Sequence, residues 1–186
     1  TQDGYGGGSL SNCSDNTAPG VQSVISYLNS LPYPAWNGGN CEAGHYYLLN
    51  NYNPGYFGNG TVNNSAFTLP PSTVRTIGDE LLQNNISWKY YGEDWDLYVK
   101  DPNYTNPKNN YCNICNPFQY VTSIMTKPAV RQAHLQDLQN LYGDIGGGTL
   151  PAVSLVKPDG FVDGHPASSK LDLFEGFVQN IVNRVQ

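Results

Sequence analysis

The stretch Leu150–Leu173, LPAVSLVKPDGFVDGHPASSKLDL, decides the fold. Pro151 opens it, Ala152 to Val156 form a short apolar run that reads as a buried strand, and Ser168 and Ser169 begin a helix. Between strand and helix, Lys157, Asp159, Asp163 and His165 fall within nine positions. Ligands of open α/β sheets bind outside the carboxyl ends of the strands, so a strand that runs straight into carboxylates and a histidine marks a candidate site.

Working outward, the closing helix carries Leu171, Phe174, Val178, Ile181, Val182 and Val185 at helical spacing. Upstream, Val130, His134, Leu138 and Leu141 predict one amphipathic helix over 128–142, ended by GDIGGG. Ile86 to Tyr91 read as a strand, preceded by a helix that Ser72 or Thr73 starts and that carries Val74, Ile77, Leu81 and Leu82. Further back, Tyr46 to Leu49 predict a strand, and Thr17 and Pro19 open a helix lined by Val21, Val24, Ile25 and Leu28. Helices alternating with short β-branched runs predict an α/β chain with a mainly parallel sheet flanked by helices, organised as a single domain over 1–186. Two long loops interrupt it: NNYNPGYFGNGTVNNS over 50–65, and an aromatic-rich insertion over 92–116 with DPNYTNPKNN as its least ordered part.

Composition bounds the function. The 186 residues are 39% hydrophobic and 13% charged, and 3 Trp, 14 Tyr and 6 Phe supply enough burial area for one folded core. A net charge of -6 without a basic patch argues against nucleic acid and anionic membrane surfaces as partners. No stretch approaches the ~20 apolar residues that span a bilayer, so stable membrane insertion is not expected.

Cys13, Cys41, Cys112 and Cys115 fall into two local groups. The Cys112–Cys115 CxxC can be a redox pair, half a zinc site or a small structural loop; its Asn/Pro-rich setting differs from the helix start that activates redox pairs. Zinc would also have to recruit Cys13 and Cys41. Two disulfides, Cys13 to Cys41 and Cys112 to Cys115, are the expectation, with an oxidising compartment to match.

Other candidates carry a plainer reading beside the functional one. Asp159 and Asp163 can orient His165 or bind a metal, although KPDG is also a turn that Pro158 and Gly160 shape around Asp159. Lys157 can face an anionic ligand or stand solvated at the strand end. His45 precedes a strand, and Asn50 and Asn51 follow it, placed to donate hydrogen bonds to an anion or simply to bond within their loops. His134 is expected to be partly buried on its helix, and Trp88, Tyr90, Tyr91 and Trp95 to pack rather than line an entrance. Sequons begin at Asn12, Asn59, Asn63, Asn85 and Asn103, where roughly three would arise by chance in so Asn- and Ser/Thr-rich a chain, so they show only that glycosylation is possible in a eukaryotic host.

Four ordered blocks carry a resemblance over nearly the whole chain: GHYYLLNNYNPGYFG, RTIGDELLQNNISWKYYGEDWDLYV, YCNICNPFQY and LPAVSLVKPDGFVDGHPASSKL. The sequence resembles the secreted phosphoesterases that include bacterial acid phosphatases and phospholipases C, within the alkaline-phosphatase-like superfamily. The resemblance implies a helix-covered, mainly parallel sheet, here incomplete, in a secreted or periplasmic enzyme that hydrolyses phosphate esters. His165, in its GHP motif, is similar to a histidine that the family places at the phosphate pocket, for phosphate binding or leaving-group protonation. His45, Asn50, Asn51 and Asp163 are the accompanying substrate-binding candidates.

The family's early Glu-Asn metal motif, its Ser or Thr nucleophile block and its late acidic metal motif do not occur in this sequence. The resemblance therefore implies a divalent metal in the parent enzyme whose ligands lie outside this chain, and a middle section inactive without the parent's remaining segments. Phospholipase C is the alternative within the family. A disulfide-stabilised carbohydrate-binding module is the alternative of another class, to be recognised by a flat aromatic row on an exposed face.

Overall fold

The computed structural model describes Ser26, Ser30 and residues 52–65, 68–166 and 168–186. The expectations for Thr17 to Leu28 as a helix, except at Ser26, which is helical, and those for the Tyr46 strand, for Cys13 and Cys41, and for His45, Asn50 and Asn51 lie outside the described residues. Two compact units divide the chain: Thr1–Asn53 with Ser65–Leu69, and Pro54–Asn64 with Pro70–Gln186. In the first, Asn53 and Thr68 form an isolated parallel bridge, and the Leu69 N–H donates to the Asn53 carbonyl at 3.0 Å.

The second unit holds the sheet. Its elements run α1 (Ile77–Gln83), β1 (Trp88–Gly92), α2 (Trp95–Lys100), α3 (Thr122–Met125), α4 (Pro128–His134), β2 (Leu135–Asp137), α5 (Leu138–Gly146), β3 (Val153–Lys157) and α6 (Leu171–Val185). The three strands are parallel in the order β2-β1-β3, with helices between them, as the alternating sequence pattern predicts.

Several boundaries differ from the sequence reading. Helix α1 begins after Thr76, whose N–H and hydroxyl both donate to the Asp79 carboxylate at 2.8 and 2.9 Å. Ser72 instead bridges Val121. The single helix expected over 128–142 is broken by β2, because Leu135 to Asp137 give their backbone to the edge of β1, in register with Tyr90 to Gly92. The DPNYTNPKNN stretch is held by its own side chains. Asp101 accepts from the N–H groups of Asn106 and Thr105, from the Thr105 hydroxyl and from the Asn109 amide. These donors, led by the Asn106 N–H, bring the Asp101 carboxyl down to about 2.

The part of the 50–65 loop that belongs to this unit is pinned by an antiparallel Tyr56–Val62 bridge. Tyr56 is buried and donates to the Thr122 hydroxyl at 3.0 Å. Asn63 is buried with its amide donated to the Pro54 carbonyl, which removes that sequon from reach, whereas Asn59, Asn85 and Asn103 are exposed.

Alternation along β1 sends its side chains to two faces. Trp88 and Tyr90 join Phe118, Tyr98, Tyr111, Ile124, Met125 and Leu135 in the larger core. Tyr91 meets Leu138 and Leu141 on the other side, with Phe177 and Ile181 of α6 against them. Gly92 lets the Tyr111 ring approach: a Cβ there would lie 2.7 Å from the ring edge. Beside that ring, Cys112 and Cys115 are joined as a disulfide.

Candidate functional site

Register aligns the carboxyl ends of the three strands: Gly92 pairs with Asp137 on one side and with Lys157 on the other. The residues at and just past the strand ends are therefore gathered at one edge of the sheet. After β1 come Glu93 and Asp94, β2 ends on Asp137, and β3 ends on Lys157.

Backbone hydrogen bonds tie these ends together. The Glu93 N–H donates to the Lys157 carbonyl at 3.0 Å, and the Asp159 N–H donates to the Glu93 carboxylate at 3.1 Å. Asp94 accepts from the Asn110 N–H, while Asp137 accepts from Asp96 and Gln139 N–H groups and so caps α5. Burial raises the Glu93 and Asp94 carboxyls above their ordinary values, and the neighbouring charges of Asp159 and Asp137 push the same way.

The loop after β3 is built on two carboxylates. Asp159 turns the chain, accepting from the Phe161 N–H at 2.8 Å and the Val162 N–H at 3.3 Å, the turn that KPDG predicts. Asp163 sits half-buried, one oxygen 2.9 Å from Lys157 Nζ and the other accepting from the His165 N–H at 2.9 Å. Burial pushes the Asp163 carboxyl up, but the Lys157 ammonium and the His165 N–H outweigh it and hold the carboxyl below the usual value. Gly164 between them has φ +77°, and a Cβ there would meet Phe174 of α6 at 3.1 Å. The His165 carbonyl accepts from the Ser168 and Ser169 N–H groups, and the Ser169 hydroxyl closes the loop onto the Phe161 carbonyl at 2.6 Å. His165 itself is exposed.

Other sequence candidates are not gathered at this edge. His134 stacks on Trp88 with centroids 4.3 Å apart, and its Nδ1 lies 2.7 Å from the Trp88 carbonyl. Trp88, Tyr90, Tyr91 and Trp95 are buried, so among the described residues these four do not form the exposed aromatic row that a carbohydrate binder would present. Glu93, Asp94 and Asp137 are absent from the sequence candidates, although an acidic pair directly after a strand and an Asp directly before an apolar helical run are readable signals.

The profile of the Phosphoesterase family matches residues 33–186. The chain belongs to that family. It is also similar to an acid phosphatase of Aspergillus niger, 30% identical over 107 residues that cover 56% of this chain and 25% of that protein. The match thus spans about a quarter of the length of this curated relative.

The divalent metal that the phosphoesterase resemblance implies does not fit the described residues. Among them, no group of three or more His, Cys, Asp or Glu side chains is arranged to hold a metal ion. The acidic groups are engaged instead: Asp94 and Asp137 by backbone N–H groups, Glu93 by Asp159, and Asp163 by Lys157 and His165. What this phosphoesterase edge offers is a hydrogen-bonded loop carrying the exposed His165, together with partly desolvated carboxylates at the strand ends. An imidazole so placed can donate a hydrogen bond to a phosphate oxygen, or in its charged form pass a proton to a departing alkoxide.

Proposed function

We propose that the complete protein is a secreted or periplasmic phosphoric ester hydrolase of acid phosphatase type, acting on phosphomonoesters. One observation carries the proposal: in a member of the Phosphoesterase family, the strand-end loop Lys157–Ser169 fixes the backbone of His165 on both sides and leaves its side chain exposed at the carboxyl edge of a parallel sheet. The name of the Aspergillus niger relative supports the acid phosphatase class. His165 binds the phosphate or protonates the leaving oxygen, with His45, Asn50 and Asn51 as further donors to the phosphate. The divalent metal and the nucleophile belong to parts of the protein outside these 186 residues, whose remaining segments are this chain's partners in activity. Cys13 and Cys41 pair as the second disulfide.

The test is turnover of p-nitrophenyl phosphate by the complete protein and its His165→Ala variant. Removal of a proton-transferring or phosphate-binding histidine is expected to lower kcat by roughly 100- to 10,000-fold. Undiminished turnover by the variant would sink the assignment of His165. A strong preference for p-nitrophenylphosphorylcholine over the monoester would move the reading to phospholipase C. The isolated 186-residue chain is expected to turn over neither substrate.

A further inference from the structure

We infer that Lys157 and Asp163 form a positioning pair that transmits the rigidity of the sheet to the backbone of His165, and that neither contacts the phosphate directly. The inference rests on the proposed role of His165. Lys157 is the last residue of β3, and its carbonyl is held by the Glu93 N–H, so its Cα is fixed by the sheet. Its ammonium donates to the Asp163 carboxylate at 2.9 Å and to the Pro158 carbonyl at 2.9 Å, with the side chain 24% exposed. Asp163, 12% exposed, spends its second oxygen on the His165 N–H.

A cation engaged in this way is poorly placed to meet a phosphate dianion, and a carboxylate without its cation would repel one. Paired, the two are nearly neutral and act as a strut from the strand end to the histidine. A Cβ on the intervening Gly164, at φ +77°, would lie 3.1 Å from Phe174, so the strut and the close approach of α6 hold the same short segment from two sides. A Lys-to-carboxylate bond of this length depends on side-chain reach and charge, which an arginine can also supply and a methionine cannot.

The experiment uses the complete protein with Lys157→Met, Lys157→Arg, Asp163→Asn, the Met/Asn double variant and His165→Ala. For Lys157→Met we expect kcat to fall about 10- to 100-fold with KM changed little, the signature of a misplaced group rather than a lost substrate contact. Arginine restores most of the loss, and the double variant is no slower than the worse single one, since both break one strut. Amide exchange in the 186-residue chain gives a reading independent of catalysis: the His165 N–H is protected in the parent sequence and exchanges faster in both single variants. Unchanged kcat in a folded Lys157→Met variant, a rise in KM alone, or no rescue by arginine overturns the pair. If Lys157→Met does not fold, Asp163→Asn decides through the same two readouts. An active His165→Ala variant defeats the role of His165, while amide exchange still judges the strut; an inactive one beside a fully active Lys157→Met defeats the strut alone.

Discussion

The two faces of β1 are buried by different means. On one, Trp88 and Tyr90 enter a continuous aromatic and aliphatic core: Trp88 lies 4.6 Å from the Phe118 ring, and the Tyr98 and Tyr111 rings stack at 4.8 Å. Trp88 Nε1 and the Tyr90 hydroxyl are buried there without a hydrogen-bond partner among the described residues, whereas the amide side chains of this core are internally satisfied. Asn116 and Gln119 are fully buried, the Asn116 amide donates to the Tyr111 hydroxyl, that hydroxyl donates to Gln119, and the Gln119 amide donates to Tyr98 and to the Tyr56 carbonyl.

On the other face, Lys89 and Tyr91 converge on Asp144 of α5, at 2.6 and 2.5 Å, beside the small apolar cluster of Tyr91, Leu138 and Leu141. Helix α6 covers that cluster with Phe177 and Ile181 but turns Leu171, Phe174, Val178, Val182 and Val185 outward. A face closed by packing should respond to lost volume, and one closed by a charged hub should respond to pH.

The largest effect is therefore expected at Phe118, which is 1% exposed between Trp88 and Tyr90. Phe118→Ala should cost about 3–5 kcal/mol in chemical denaturation, from lost transfer energy and the cavity left among rigid rings. A cost below about 1 kcal/mol would mean that this core is loosely packed and would erase the contrast between the faces.

Next comes the hub. Tyr91→Phe removes one of the donors to Asp144 and should cost about 1.5 kcal/mol, the scale of a hydrogen bond to a charged group. Burial pushes the Asp144 carboxyl up, but Lys89, Tyr91 and Thr149 together hold it below its usual value. A carboxyl depressed on folding contributes stability above its unfolded pKa of about 4 and loses it as pH falls through the folded value. Stability followed from pH 7 down to pH 2 should therefore decline below about pH 4, less steeply in Asp144→Asn. Identical acid limbs in the two proteins would show that the hub carries no charge-dependent stability.

The same contrast explains what the sequence makes legible. Strand β3 and its loop are readable because the signal is local: an apolar run, then Pro158, Asp159 and Gly160, then an Asp–Gly–His turn. The burial expected of that strand does not hold, since Ser154 and Leu155 are exposed, and the helix after it starts at Leu171 rather than at Ser168 or Ser169. Strand β2 is hidden because its three residues are defined by backbone pairing with Tyr90 to Gly92, some 45 positions earlier. The apolar spacing across it looks like one helix, yet Val130 serves the larger core and Leu138 and Leu141 the smaller one. The strand-end carboxylates are readable one by one, but their grouping is not, since only parallel register brings Glu93, Asp137 and Asp159 to one edge. Asn- and Pro-rich composition misleads at Asp101, where side-chain-to-backbone bonds replace periodic structure.

Periodicity fails most instructively in α6, where it announces an apolar stripe without saying what lies against it. Val178 is 41% exposed and Leu171 77%, while Ile181, in the same predicted stripe, turns inward. Val178→Asn in the 186-residue chain should therefore change stability by less than about 0.5 kcal/mol, because most of the apolar surface it removes already faces water. Ile181→Asn, three residues on, should cost several times more, since it places an amide against the cluster of Tyr91, Leu138 and Leu141. Comparing the two by denaturant midpoint tests whether α6 has one buried face or two. In the complete protein, a Val178→Asn cost near the ~1.5–3 kcal/mol of a buried valine would show that segments beyond this chain cover the stripe. An unchanged small cost would show that it stays in water and that the weaker face of β1 ends at α6.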